Sequence, residues 1–592
     1  MHKRRILRLL LPLFSTAVFY ALFYTISALG FDVVIAPKAI ARDYLLNLFL
    51  AYTLAALSRR LWVFVVLQGL LMALLYVGNA VKISFFGGPI VPDDVYALRT
   101  LLLLLEGWQF YLAALPLVGI ASLLIFNFGL RNWYSWLAIA TVLLIGTTLV
   151  YSPQNVIKPL DRYVGHSVWD QRSNYVNRGA TLYSLMETAR YLADRVPPPD
   201  RVTAQKARER LQAGLQETGN PAGEFVPRNV HIIVLESFWD PSPLKAGQYS
   251  RDPLPDDFRA LWKQAGNSRI LSPVFGGYTA NAEFEALCGY PVMKPAVKFE
   301  RDLKNDVPCL PRLLARQGYT TIASHPNVPV FWNRVNAYRR LGFQTYWSLQ
   351  DFEKVDMARN FMSDASLYRQ VLEKIEPWLE SGKPLLNYVL TYFGHWNYPL
   401  NDARPTVIQD SSNVPEVGSF ANTAYYKAKE LMEFLEELNS RDPDALIAVF
   451  GDHPPYLGRN FTGYVESGVL ADNRSKFTPE MFGVYNAAPL IVIDGKRGVQ
   501  RFGTLALYEL PARLLRLLHL EDTGPLGLTV PQTEMHVRPI PDLHYLVSET
   551  GDVEVCQEPP WTEACARSST WLNDVVTVGD DLFVGEQHTM RE

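Results

Sequence analysis

Three short apolar runs in this chain stop at residues that can hold a cation. His231-Ile-Ile-Val-Leu-Glu236 ends on a carboxylate, and Leu446-Ile-Ala-Val-Phe-Gly-Asp452-His453 ends on a carboxylate followed by an imidazole. Leu386-Asn-Tyr-Val-Leu-Thr391-Tyr-Phe-Gly-His395 reaches an imidazole just past its end. Carboxylate and imidazole together suit a divalent ion such as Mn or Zn. Taken singly, each has a plainer reading: a Glu in a solvated loop, an Asp-His pair in an ordinary turn, a satisfied polar His. Taken together they converge on one rim only if the three runs are neighbouring parallel strands.

The candidate nucleophile lies in Phe275-Gly-Gly-Tyr-Thr279-Ala-Asn-Ala-Glu-Phe284. Two glycines permit a tight turn with free backbone N–H groups. The residues after Thr279 are helical in character, so its hydroxyl falls at the positive end of a helix, where phosphate also binds. Coordination to a metal can activate such a hydroxyl. The plainer reading is that Thr279 caps the helix.

Positioning these groups needs a sheet. After Pro227 short β-rich runs alternate with helical ones: Val230–Leu235, Leu310–Gln317, Thr320–Ala323, Leu367–Leu379, Leu385–Thr391, Ala424–Leu438, Ala445–Phe450, Pro489–Ile493 and Leu505–Leu518. Such alternation predicts an α/β domain with a largely parallel central sheet. Ligand sites in these sheets lie at the carboxyl ends of the strands.

The first quarter is a different material. Apolar runs at Leu9–Leu29, Ile40–Leu57, Leu61–Val81, Trp108–Phe126 and Trp133–Tyr151 predict a polytopic α-helical membrane domain of about five spans. The second is the weak one, because Arg42 and Asp43 sit at its start. The first resembles a secretory leader, but its length and the spans that follow favour a retained anchor. Lys3, Arg4, Arg5, Arg8, Arg59, Arg60 and Arg131 fall on one side and Lys38, Arg42, Lys82 and Arg99 on the other. That excess places the N-terminus in the cytoplasm and everything after Tyr151 outside. An even number of spans would reverse this. The expected division is a transmembrane domain at 1–155, a helical linker at 156–226, a catalytic domain at 227–545 and an acidic C-terminal tail at 546–592. Arg195-Val-Pro-Pro-Pro-Asp-Arg201 reads as a break between helices.

A net charge of −3 supplies no basic face for nucleic acid. The four cysteines lack CxxC spacing, which argues against a structural zinc site. In an oxidising compartment, Cys556 and Cys565 are close enough in sequence to pair, with two free thiols as the alternative.

Together these motifs resemble the lipoteichoic acid synthases and related phosphoglycerol transferases of the alkaline phosphatase/sulfatase superfamily, from the membrane part to about Leu520. Gly-Gly-Tyr-Thr279-Ala-Asn-Ala-Glu-Phe is similar to the family's nucleophile motif. Phe331-Trp332-Asn-Arg334-Val-Asn-Ala-Tyr338, followed by Leu341-Gly-Phe343, resembles its most specific signature. Trp169, Asn174-Tyr175, Asn177 and Gly179 resemble the stretch after the fifth helix, and Gly88-Pro-Ile-Val-Pro-Asp93-Asp94 a loop before the fourth. The resemblance implies a sulfatase-like fold, with Thr279 as nucleophile and Glu236, Asp452 and His453 (with Thr279 itself) as metal ligands. Mn is the expected ion, with Zn or Mg as alternatives. Trp332 and Arg334 fall at positions contacting the phosphoglycerol group, and His325 and His395 at those of two active-site histidines. It further implies a bacterial cytoplasmic-membrane enzyme with an external catalytic domain. Its lipid donor would be phosphatidylglycerol, and its acceptor an envelope glycan or polyglycerolphosphate chain.

Departures from the pattern bear on acceptor and product: Val234 where some members have His, Pro326 where Gly is common, and Pro454-Pro455 after His453. Cys288-Gly-Tyr-Pro-Val lacks the Cys/Ser-x-Pro-x-Arg pattern of true sulfatases. The rival readings are a phosphodiester hydrolase or a phosphoethanolamine transferase of the same fold. A third is a non-catalytic membrane sensor or scaffold, whose expected sign, loss of a ligand or of Thr279, is not seen.

Overall fold

A computed structural model describes residues 2–86, 89–92, 94–95, 108–130, 132–165, 171–193, 197–215, 225–293, 296–329, 331–520, 523–530, 535–541, 543–548 and 551–590. Gly88, Asp93, Arg99, Arg131 and Trp169 lie outside them. The chain divides into two compact units, Met1–Pro197 and Pro198–Glu592. The division falls inside the Pro-rich break at 195–201. The stretch expected as one linker is therefore shared between the units.

In the first unit four helices are long and apolar enough to cross a membrane: Leu9–Phe31, Pro37–Leu57, Leu61–Ser84 and Trp133–Tyr151. The remaining apolar run forms the helix Trp108–Asn127, interrupted by Pro116, of which Val118–Asn127 is a shorter apolar stretch. The weak second run is thus a full-length helix, and its two charges are accommodated internally. The Arg42 Nη2 group donates to the carbonyls of Asn177 (2.9 Å) and Arg178 (3.2 Å). Asp43 is fully buried. It accepts from the Tyr76 hydroxyl at 2.5 Å, the Tyr20 hydroxyl at 3.4 Å and the Thr181 N–H at 3.1 Å. Charged groups inside an apolar helix persist only when paired in this way. Gly179 has φ +85°, and a Cβ there would lie 2.5 Å from the Asp43 Cγ. Only glycine lets the backbone come so close to that carboxylate.

The second unit is built on a nine-stranded sheet. Its strands, in chain order, are β1 (Val230–Leu235), β2 (Arg269–Leu271), β3 (Thr320–Ser324) and β4 (Thr345–Trp347). After a small hairpin of β5 (Met357–Ala358) and β6 (Phe361–Met362) come β7 (Leu385–Leu390), β8 (Leu446–Gly451), β9 (Ala487–Asp494), β10 (Gly498–Gln500) and β11 (Thr504–Ala506). The order is β11-β2-β9-β8-β1-β7-β3-β4, with β10 beside β9. β8, β1, β7, β3 and β4 are mutually parallel, whereas β9 runs antiparallel to both β8 and β2. β1, β7 and β8 are buried along their whole length, which is why each reads as a continuous apolar run. The fold is therefore an apolar helical region followed by an α/β domain with a mostly parallel central sheet.

The linker and tail readings meet in this unit. Helix Arg201–Leu215 packs against helix Glu563–Phe583, and Arg210 forms an ion pair with Asp574. Val575, Val578, Leu582 and Phe583 join the main hydrophobic core, so the C-terminal tail packs into this unit. It also completes a three-stranded antiparallel sheet of β12 (Met535–Ile540), β13 (Leu543–Ser548) and β14 (Val553–Cys556). Cys556 is bridged to Cys565, and Cys288 to Cys309. The second bridge has no counterpart in the sequence reading.

Candidate metal centre and nucleophile

β8, β1, β7 and β3 are consecutive in the sheet, so their carboxyl ends form one rim. Glu236 follows β1, Asp452 and His453 follow β8, His395 sits on the turn after β7, and His325 follows β3. The structure therefore brings the candidate residues of all four strands together where a parallel sheet places ligands.

Ligand atoms of Glu236, Asp452 and His453 all lie within 4.8 Å of one another, and all three residues are buried. The surrounding hydrogen bonds aim them. One Asp452 oxygen, Oδ1, accepts from the backbone N–H groups of Ser237 (2.6 Å) and His453 (2.7 Å). The other, Oδ2, is buried with no hydrogen-bond partner among the described residues, 3.2 Å from His453 Nε2. His453 donates from Nδ1 to the Pro454 carbonyl at 3.0 Å, which leaves the Nε2 lone pair facing the carboxylates. An orphaned carboxylate oxygen, a second carboxylate and an aimed imidazole fit a divalent cation.

The electrostatics agree. Burial, then the neighbouring charge of Glu236, push the Asp452 carboxyl well above the usual range. Burial also works against the charge of Glu236, but His395, His453 and the Ser237 hydroxyl hold it below its usual range. Burial lowers His453 and keeps it neutral, as a metal ligand must be. Two buried carboxylates in one site remain jointly ionised only beside a compensating positive charge.

Thr279 is the first residue of the buried helix Thr279–Cys288, after Tyr278 in the left-handed region at φ 63°. It is not a side-chain cap. Its hydroxyl donates to Glu236 Oε2 at 3.2 Å and lies 3.5 Å from His453 Nε2. The nucleophile candidate and the metal cluster are thus one site. His325 donates from Nδ1 to the Leu390 carbonyl at 3.2 Å. Burial, and next the Arg334 guanidinium, push His325 well below its usual range, so it is a neutral base. Burial also lowers His395.

Arg334 departs from the simplest expectation. It is 1% exposed, and its Nε (3.0 Å) and Nη2 (2.6 Å) both donate to Glu283 Oε1. The hydroxyls of Tyr338 and Tyr388 bind the other oxygen of Glu283. One edge of the guanidinium fork is therefore spent on a carboxylate of the helix that begins at Thr279. Nη1 has only a long contact, 3.5 Å, to the Phe331 carbonyl. Trp332, at φ 54°, stacks between Phe331 and Tyr278 with centroids at 4.6 and 6.3 Å, and Arg334 lies 5.2 Å from its ring centre. Sequence reasoning missed Glu283, although it stands four residues after Thr279, one helical turn on.

Arg334→Lys should consequently lower melting temperature and turnover together. Removing a partner from a buried ion pair costs about 3–5 kcal/mol, and lysine, which keeps the charge but not the fork, should lose about half of that. A lost charge-assisted hydrogen bond to substrate would slow turnover about tenfold to a hundredfold. Thermal melts run beside rate measurements check both. Unchanged melting with unchanged rate removes Arg334 from the site.

Comparison with known proteins bears on the domain that carries this site. Residues 228–483 match the Sulfatase family model. This stretch is a sulfatase-like domain. The chain is 28% identical over 448 residues to a putative cyclic beta-1,2-glucan modification protein of Rhizobium meliloti, covering 71% of this chain and 64% of that protein. It is 26% identical over 231 residues to the lipoteichoic acid synthase of Staphylococcus saprophyticus, covering 38% and 34%. The chain thus matches less than two thirds of each relative's length. Among solved structures, a protein in the alkaline phosphatase superfamily from Vibrio parahaemolyticus superposes with a TM-score of 0.50 at 15% identity, over 64% of this chain and 97% of that one. That likeness concerns the fold.

Proposed function

We propose that this protein transfers glycerophosphate from phosphatidylglycerol to an envelope glycan through a phosphothreonine at Thr279. The observation that carries this is the Thr279 hydroxyl at a helix N-terminus, 3.2 Å from Glu236 within a three-ligand cluster. A divalent ion, Mn first among candidates, held by Glu236, Asp452 and His453, would supply the positive charge that lowers the pKa of that hydroxyl. Thr279 Oγ1 forms a bond to phosphorus, and the bond from phosphorus to the diacylglycerol oxygen breaks. His395 or His325, neutral at the outset, takes up the Thr279 proton and delivers it to that oxygen; it then takes the acceptor hydroxyl's proton as the acceptor oxygen bonds to phosphorus, the bond from phosphorus to Thr279 Oγ1 breaks, and the proton returns to Thr279. Arg334 offers Nη1 to a phosphate oxygen, and Trp332 packs beside the glycerol.

The apolar helices suit a lipid donor whose other product is also a lipid. Two disulfides suit a catalytic unit outside the cytoplasm. A glycan is favoured over a polyglycerolphosphate chain because the glucan-modification relative matches 71% of this chain and the synthase 38%.

The test incubates purified enzyme with Mn, phosphatidylglycerol labelled in its headgroup, and fractionated envelope glycans. The label is expected in a glycan fraction, dependent on that acceptor, with phosphatidylethanolamine inactive as donor. Label released as free glycerophosphate at the same rate without acceptor makes the protein a hydrolase.

A further inference from the structure

The long helix Pro415–Arg441 carries one lysine into the interior directly behind the site. Lys427 and Asp364 are both 0% exposed and form an ion pair at 2.8 Å. An ammonium has three N–H donors. Here they reach Asp364 Oδ2, the Thr391 hydroxyl oxygen at 3.0 Å and the Phe393 carbonyl at 2.5 Å. Two of the three therefore go to the turn that follows β7 and leads to His395.

The same hydroxyl oxygen of Thr391 accepts the Glu236 N–H at 3.0 Å, and the Thr391 N–H donates to the Val234 carbonyl at 2.9 Å. One side-chain oxygen thus joins Lys427 to the backbone of Glu236. Gly394, immediately before His395, has φ +95°, and a Cβ there would lie 2.9 Å from Lys427 Cδ and 3.2 Å from the Glu236 carbonyl oxygen. The turn is closed onto both Lys427 and the end of β1.

A simple core ion pair does not account for this arrangement. Buried pairs add little net stability over apolar groups of similar volume. Here two of the ammonium's three donors go to the turn that bears His395, and the Thr391 hydroxyl carries the link on to Glu236. We infer that Lys427, backed by Asp364, is a positioning residue that fixes the Glu236 end of β1 against the His395 turn. Its action on chemistry rests on the proposed roles of those two residues. Its geometric part does not.

The full-length chain purified in detergent serves for the test, in three variants. Lys427→Met combined with Asp364→Asn removes the ammonium without stranding a buried carboxylate. Asp364→Asn alone keeps the ammonium on the turn after β7. Thr391→Val removes only the shared hydroxyl. Mn binding is read by electron paramagnetic resonance of the free ion, without lipid, beside kcat, KM for phosphatidylglycerol and thermal melting.

The double variant should bind Mn about tenfold or more weaker and lose kcat by a similar factor, as supporting residues of metal ligands do. KM should hardly move, and Asp364→Asn alone should lose less. Thr391→Val should weaken Mn binding in the same direction, which decides the matter even where the double variant does not fold. Wild-type Mn affinity and kcat in a folded double variant, or in Thr391→Val, overturn the inference. A wild-type protein that binds Mn but transfers nothing would instead refute the proposed function and leave the Mn comparison intact.

Discussion

Thr279→Ala should abolish transfer and leave the second unit folded. The hydroxyl is the atom proposed to bond to phosphorus, and alanine cannot replace it. Loss of the nucleophile in a covalent mechanism removes several orders of magnitude in rate, on the order of 10⁴-fold or more. Stability should move little, because opposing effects are small. The variant loses one hydrogen bond to Glu236, a net contribution of about 1 kcal/mol. It gains some helix propensity at the first position of Thr279–Cys288. Thr279→Ser, which restores a hydroxyl, should recover part of the rate. Rapid quenching with headgroup-labelled phosphatidylglycerol adds a second readout: label bound to the wild-type chain and absent from Thr279→Ala. A Thr279→Ala protein that consumes the lipid at the normal rate ends the nucleophile assignment.

The parts of this site that the sequence made legible share one physical origin. A parallel strand buried on both faces must be apolar throughout, so its first polar residue marks its carboxyl end. That is how Glu236, Asp452 and His453 stood out before any coordinates, and β1, β7 and β8 fall within a residue of their expected limits. What stayed hidden was every pairing between distant segments. Glu283 meets Arg334 across 51 residues, and Lys427 meets Asp364 across 63. Lys427 sits in a run correctly read as helix, but a lysine on a helix reads the same whether it faces solvent or the core. Asp43 made the second span look weak because only the folded unit supplies Tyr76 and the Thr181 N–H. The bridge from Cys288 to Cys309 needs helix Thr279–Cys288 to end beside the start of helix Leu310–Arg316, which no local pattern encodes.

Removing the metal should inactivate the enzyme, and the charge balance of the empty site makes a sharper prediction. A strong chelator is expected to abolish turnover, with Mn restoring it best and Zn or Mg less well. Metal added at about 100 times its Kd should stabilise the fold by about 2.7 kcal/mol through linkage. Without metal, Asp452 is a buried carboxyl beside a charged one, and it holds its proton well above the usual range. The folded state then binds that proton more tightly than the unfolded state does. The stability contributed by this group is accordingly greatest at low pH and falls as pH rises above the ordinary aspartate value of 3.8. Glu236, held below its usual range, contributes in the opposite direction. Asp452→Asn should therefore melt at the same or a higher temperature than the metal-free wild type near neutral pH, and the gap should grow with pH. The same variant should neither bind Mn tightly nor turn over. Melting curves across pH, with and without Mn, measure both halves. A metal-free Asp452→Asn protein less stable than the metal-free wild type at every pH would mean that this carboxylate holds the fold together. Activity that survives prolonged chelation would mean that the cluster of Glu236, Asp452 and His453 does not carry the ion on which Thr279 depends.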